Sequence, residues 1–139
     1  MENIISYVNS LGVALQNLFI WIFGDLDTPL ITLLVFIFLD YLTGVINGCK
    51  NKKFCLRIAL KGIIKKCLIL VVLLVGVMLD RLISDGTWMF KGLISYFYII
   101  KEGTSILTNC ASLGVPIPEK LKEALKQLDN KKKSNKLFL

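Results

Sequence analysis

The sequence predicts an all-α, multi-pass membrane protein: three or four transmembrane helices followed by a C-terminal amphipathic cytoplasmic helix. Three observations lead there. Apolar stretches of spanning length recur along a 139-residue chain that is 55% hydrophobic, and about 20 such residues cover the hydrocarbon core. Fourteen of the 17 Lys and Arg residues sit in two clusters beside those stretches, 47–66 and beyond Gly114, as insertion rules require. Ionisable groups nevertheless lie within the apolar segments: Asp40, Asp80 with Arg81, and Lys101 with Glu102. Helices that carry them must shelter polar faces from lipid.

Residues 4–23 form the first apolar segment, interrupted by Asn9, Ser10, Gln16 and Asn17. A span and an interfacial amphipathic helix compete for it. Glu2 precedes it with no Lys or Arg, so the positive leader of a signal peptide is missing and the N-terminus is expected to be kept. Gly24, Asp25, Asp27 and Pro29 make a solvated turn, and Pro29 suits the first turn of the next helix, where no N–H is required.

Residues 30–46 (LITLLVFIFLDYLTGVI) read as a span. A cytoplasmic basic loop over 47–66 carries Lys50, Lys52, Lys53, Arg57, Lys61, Lys65 and Lys66 and no acid. The next span, 63–83, centres on CLILVVLLVGVML, with Lys65 and Lys66 snorkelling at one end and Asp80-Arg81 marking the other. A polar turn at 84–87 leads to a third span, 88–109, the least lipid-like. Residues 1–114 thus make a membrane domain. Gly114, Pro116 and Pro118 break the helix, and in the remainder, 115–139, residues 119–130 restart one with Leu121, Leu125 and Leu128 on one face. Lys131, Lys132, Lys133 and Lys136 form a basic tail able to lean on anionic lipid at ~1 kcal/mol per charge.

Charge asymmetry orients the chain. Both basic regions face the cytoplasm and the turns bearing Asp25, Asp27 and Asp85 face outward. If the first segment crosses, there are four spans and the N-terminus is cytoplasmic. If it lies flat, there are three and the N-terminus is outside.

Within 88–109, Lys91, Ser95, Tyr98, Glu102, Ser105 and Asn109 follow one another at helical steps of three and four, so one face is polar from end to end. The opposite face holds Leu93, Ile94, Phe97, Ile100 and Leu107. Such a helix lies on the interface or lines a wet interior. Asp40, Thr43 and Asn47 repeat the pattern on 30–46. A charge at mid-helix costs ~2.5–3.5 kcal/mol on insertion scales, so Asp40 needs water or a partner. Both polar rows are candidates for pore-lining or intramembrane polar contacts. Gly44 and Gly48 form a small-xxx-small pair that suits close helix packing.

Catalytic signals are absent. There is no His, and Cys49, Cys55, Cys67 and Cys110 show no CxxC spacing, so free thiols are expected in a reducing compartment. No phosphate-cradling glycine loop or nucleophile elbow occurs. Neither an enzyme nor a cofactor nor a metal site is expected. The net charge of +7 flanks apolar helices, which favours membrane topology over nucleic-acid binding.

Several ordered blocks carry a resemblance. They are Asp40-Tyr41-Leu42-Thr43-Gly44, the basic 50–57 region with Lys61-Gly62-Ile63-Ile64-Lys65-Lys66, Asp80, Glu102-Gly103-Thr104-Ser105-Ile106-Leu107-Thr108-Asn109, and Leu113-Gly114-Val115-Pro116-Ile117-Pro118-Glu119-Lys120-Leu121. Together, over roughly residues 36–126, the chain resembles the toxin-secretion/phage-lysis holins. That resemblance implies a protein that accumulates in the bacterial cytoplasmic membrane, forms homo-oligomers, and opens lesions. The cargo it implies is a phage endolysin or a large protein toxin lacking a signal peptide. A non-pore membrane regulator, such as an antiholin, and a small ion channel remain open on the residues alone.

Overall fold

The computed structural model describes residues 1–52, 55–83 and 87–137. They form five helices: α1 (Glu2–Phe23), α2 (Thr28–Lys50), α3 (Leu56–Ile83), α4 (Met89–Ser112) and α5 (Glu119–Leu137). No strand occurs among the described residues.

The helix ends follow from local chemistry. Gly24, at φ 75°, closes α1. Asp27 caps α2 by accepting from Leu30 N at 3.1 Å, with Pro29 in the first turn. At the end of α4, Gly114 takes φ 89° and donates to Ala111 O, while Val115 N donates to Cys110 O. This is the Schellman arrangement, which satisfies carbonyls the helix leaves open. Pro116 and Pro118 follow, and α5 turns back so that Leu125 packs beside Gly103.

Two boundaries depart from expectation. The basic loop is short: α2 runs to Lys50 and α3 starts at Leu56. Arg57, Lys61, Lys65 and Lys66 are therefore helical. The reason is that Leu56, Ile58, Ala59, Ile63 and Ile64 supply a helical apolar pattern between the bases, so the charges ride about the first three turns of α3. Lys53 lies outside the described residues, as do Ser84, Asp85 and Gly86 of the expected outer turn. The helix expected over 119–130 continues to Leu137, through the lysines of the tail. On α5, Leu121 is exposed and Leu125 half-buried, and the side chain of Leu128 is outside the described set. Glu119 accepts from Lys122 at 2.9 Å, which holds its carboxyl below the usual range.

By length and composition, α1, α2 and α3 can each cross a membrane. The 24 residues of α4 reach about 36 Å, but its polar residues keep it less apolar than those three. It is instead the helix against which α2, α3 and α5 pack. Its tightest approach is to α3 at Gly76, where a Cβ would stand 2.4 Å from Ile94 Cδ1, with the Phe90 backbone 3.5 Å away.

The buried apolar cluster is Leu30, Leu33, Leu73 and Ile99, with Phe23, Phe36 and Ile94 against it. It lies between charged positions on each helix: Asp27 and Asp40 on α2, Lys66 and Asp80 on α3, Lys91 and Glu102 on α4. At 1.5 Å per residue, these intervals are about 17–21 Å. Outward-facing Val35, Phe38 and Leu42 on α2 and Leu68, Val71 and Val75 on α3 are exposed, a surface suited to lipid. Each helix thus carries charge, grease, charge along its inner face.

Candidate functional site

The charged level toward the α2–α3 connection is a three-helix ion cluster. Lys66 Nζ on α3 donates to both Asp40 Oδ2 on α2 and Glu102 Oε2 on α4. All three side chains are largely shielded, with 17%, 12% and 4% of their surfaces exposed. Asn109 Nδ2, two turns below Glu102, donates to Thr43 Oγ1 at 3.2 Å and to Asp40 Oδ1 at 3.4 Å. Thr43 in turn donates to the Leu39 carbonyl at 2.9 Å. Two carboxylates share one ammonium, so the cluster carries a formal charge of −1 when all three groups are ionised. A carboxylate in a low-dielectric interior needs this kind of charge-assisted partner.

The charged level toward the α3–α4 connection is built differently. Asp80 is 2% exposed and accepts from Phe90 N at 2.9 Å and Lys91 N at 2.7 Å. A residue of α3 therefore caps the N-terminus of α4, whose own N-cap, Trp88, makes no side-chain hydrogen bond. The free N–H groups and positive dipole of that terminus suit a carboxylate. The Lys91 side chain, 1% exposed, donates to the Asp25 carbonyl at 2.6 Å. It also lies 3.4 Å from Asp27 Oδ2 and 5.3 Å from the Trp88 ring centre. Arg81 donates to the Trp21 carbonyl and sits over its ring at 5.6 Å, tying the end of α1 to α3.

Between the levels, Ser95 is fully buried on α4, and its hydroxyl has no hydrogen-bond partner among the described residues. Beside the Lys66 cluster, a crevice of about 270 Å³ opens between α2, α3 and α4, lined by Asp40, Gly44, Gly62, Lys66, Ser105 and Asn109 among others.

With this geometry in place, comparison with known proteins decides the family. The sequence pattern of the bacteriophage holin family matches residues 17–130. The chain belongs to the bacteriophage holin family. A probable holin of Bacillus phage phi105 is 34% identical over 119 residues, 84% of this chain and 86% of that protein. A 14.9 kDa Clostridium perfringens protein from the nagH 3' region is 72% identical over 132 residues, 95% of this chain and 100% of its own. YqxH of Bacillus subtilis is 34% identical over 118 residues, covering 84% of this chain and 82% of that protein. No solved structure matches the chain. Family and apolar helices together make it a membrane protein with a holin role.

In this holin-family bundle, the polar stripe of α4 turns inward. Lys91, Ser95 and Glu102 are buried, Tyr98 packs against the apolar cluster, and Ser105 and Asn109 face the crevice. Lys101, on the flank, is exposed beside Tyr98. Asp40, Thr43 and Asn109 meet directly, whereas Asn47 lies a turn further on and bonds to Asn51. Sequence reasoning places Lys66 in the basic loop and at the snorkelling end of a span, although it continues the buried row Ile69, Leu73, Gly76 and Asp80 at helical steps. That periodicity was the available signal.

The glycines also sort differently. A Cβ at Gly44 would lie 3.7 Å from Asn109 Nδ2, and one at Gly48 would meet nothing within 4 Å. The close approaches are Gly76, and Gly103 against Phe36 and Leu125. Asp80, read as a marker of a helix end, is a buried cap.

Proposed function

We propose that the chain is a holin of the bacterial cytoplasmic membrane that assembles with copies of itself and opens holes. In this reading α2, α3 and α4 cross the bilayer, α5 and the basic stretch at 50–61 face the cytoplasm, and α1 supplies a fourth crossing. The observation that carries the reading is the Lys66–Asp40–Glu102 cluster inside spans of a holin-family chain. Ionisable groups at membrane depth mark function by default. Here one chain pairs the charged groups of its own polar stripe, which gives a closed, insertable state.

The same groups can take water as a partner. A bundle that loosens between α2 and α4 turns Asp40, Ser95, Glu102, Ser105 and Asn109 toward a lumen formed by several copies, and Lys91 lies at its outer mouth. The chain then has two arrangements of one polar face, and density in the membrane biases the choice. The cargo is protein-sized: an endolysin, or a toxin without a signal peptide.

Liposomes containing only this chain test the reading. Release of encapsulated protein supports it. Release of small ions alone assigns a narrow channel, and release of nothing assigns a regulator that packs with another membrane protein.

A further inference from the structure

Most of α1 stands apart from the bundle. Residues 2–18 are exposed, and the helix meets α3 only near its C-terminal end, where the Trp21 carbonyl accepts from Arg81. At 100° per residue, Asn3, Ser6, Asn9, Ser10, Gln16 and Asn17 fall on one face, with Val13 and Ile20 among them, and Ile4, Val8, Leu11, Leu15 and Leu18 on the other. Ser10 turns its hydroxyl back onto the Ser6 carbonyl at 2.9 Å. The side chains of Asn9, Gln16 and Asn17 bond to none of the described residues. Most of this face also lies ahead of the residues matched by the family pattern.

Two features indicate what covers it. The helix is long and apolar enough to cross a membrane, and in hydrocarbon an unpaired carboxamide is costly. Each carboxamide carries both donors and an acceptor, so a row of Asn and Gln is complementary to itself. Gly12 lies between Asn9 and Gln16 at the edge of the same face, and a Cβ there would meet nothing within 4 Å. Packing within this chain therefore does not call for a glycine at that point, whereas a second helix approaching closely would.

We propose that this face pairs with α1 of a second copy of the chain. Asn9 and Gln16 exchange amide hydrogen bonds across the pair, Gly12 lets the two backbones approach, and Leu11 and Leu15 face lipid. The proposal rests on α1 crossing the membrane and deepens the holin reading by naming where copies first meet. Because none of the bonds of the Lys66 cluster goes to α1, pairing leaves the ion cluster of each copy closed. Copies can therefore gather before any hole opens.

Single cysteines at Asn9, Gln16, Leu11 and Leu15, in a chain lacking its four native cysteines, test this in cell membranes under mild oxidation. We expect disulfide-linked pairs at Asn9 and Gln16 at least about fivefold above Leu11 and Leu15. With a reporter cysteine at Ser6, Asn9→Leu combined with Gln16→Leu should cut linking about tenfold, since two interhelical amide contacts are lost, while Asn9→Gln retains it. Equal linking from both faces overturns the proposal. So does reaction of the Asn9 and Gln16 cysteines with an impermeant thiol reagent before permeabilisation, because α1 would then lie on the surface. The two readings fail separately. Protein release from liposomes without the Asn9 pattern sinks the α1 interface alone, and the Asn9 pattern without release supports the interface while removing the hole.

Discussion

Lys66 on α3 and Glu102 on α4 are paired in the interior of the bundle, 36 residues apart in the chain, and the same ammonium holds Asp40 of α2. One cation therefore ties together the three helices that carry the family's central blocks. Removing it leaves two buried carboxylates without a counter-charge. Burying an unpaired charge costs more than the pair contributes, so the cluster acts as a clasp whose members depend on one another.

Lys66→Met is expected to destabilise the bundle by about 3–5 kcal/mol, the usual cost of breaking a buried pair from one side. Unfolding in mixed detergent micelles measures it. Adding Asp40→Asn and Glu102→Gln to the same chain should recover most of that loss, because no charge is then left unpaired. A triple variant as unstable as Lys66→Met would show that the carboxylates are not what suffers.

On permeabilisation, Asp40→Asn should insert at least as well as the parent, since the insertion penalty of a charge is gone. It should also shift the onset of release, because the clasp loses one of its two anions. Phe97→Leu, on the lipid-facing side of α4, should leave onset unchanged. Equal effects from both substitutions, at equal protein levels, would remove the polar stripe from the mechanism.

Asp80→Ala should loosen the start of α4 by about 1–2 kcal/mol, the upper range for losing a helix cap. Hydrogen exchange at Phe90 and Lys91 should quicken first, since those two amides donate to Asp80. Asp80→Asn keeps one acceptor and should lose less. Uniform acceleration along α4 would point to a packing role instead.

Gly76 and Gly48 make a contrasting pair. Gly76→Leu should cost about 1–3 kcal/mol through overpacking, because Ile94 and the Phe90 backbone stand behind it. Gly76→Ala should be milder, since the end of Ile94 can rotate away. Gly48→Ala meets open space and should be neutral or gain up to about 1 kcal/mol from helix propensity. Thermal aggregation in detergent separates the three.

The charge asymmetry predicts an orientation. Cysteines at Asn51 and Asn135, with the native thiols removed, should be shielded from an impermeant reagent in intact cells, while one at Asp85 reacts. The reverse pattern inverts the topology. A cysteine at Glu2 then decides whether α1 crosses.

The sequence by itself determined that the chain is helical, where its apolar segments lie, and that Asp40, Glu102 and their helical neighbours form polar rows. Those properties are local: they depend on 3.6-residue periodicity and on segment length against bilayer thickness. The blocks from Asp40 to Leu121 also announced the family. Tertiary structure alone decided which charges meet. Lys66 looks like a solvated base from its neighbours Lys61 and Lys65, and only the packing of α3 between Asp40 and Glu102 makes it a buried counter-ion. Asp80 likewise marks a helix end in sequence but caps a different helix in space. Pairing across helices depends on crossing geometry and on glycines such as Gly76 and Gly103, which set how close two backbones come. That information is distributed over all the packed helices, and no window along the chain contains it.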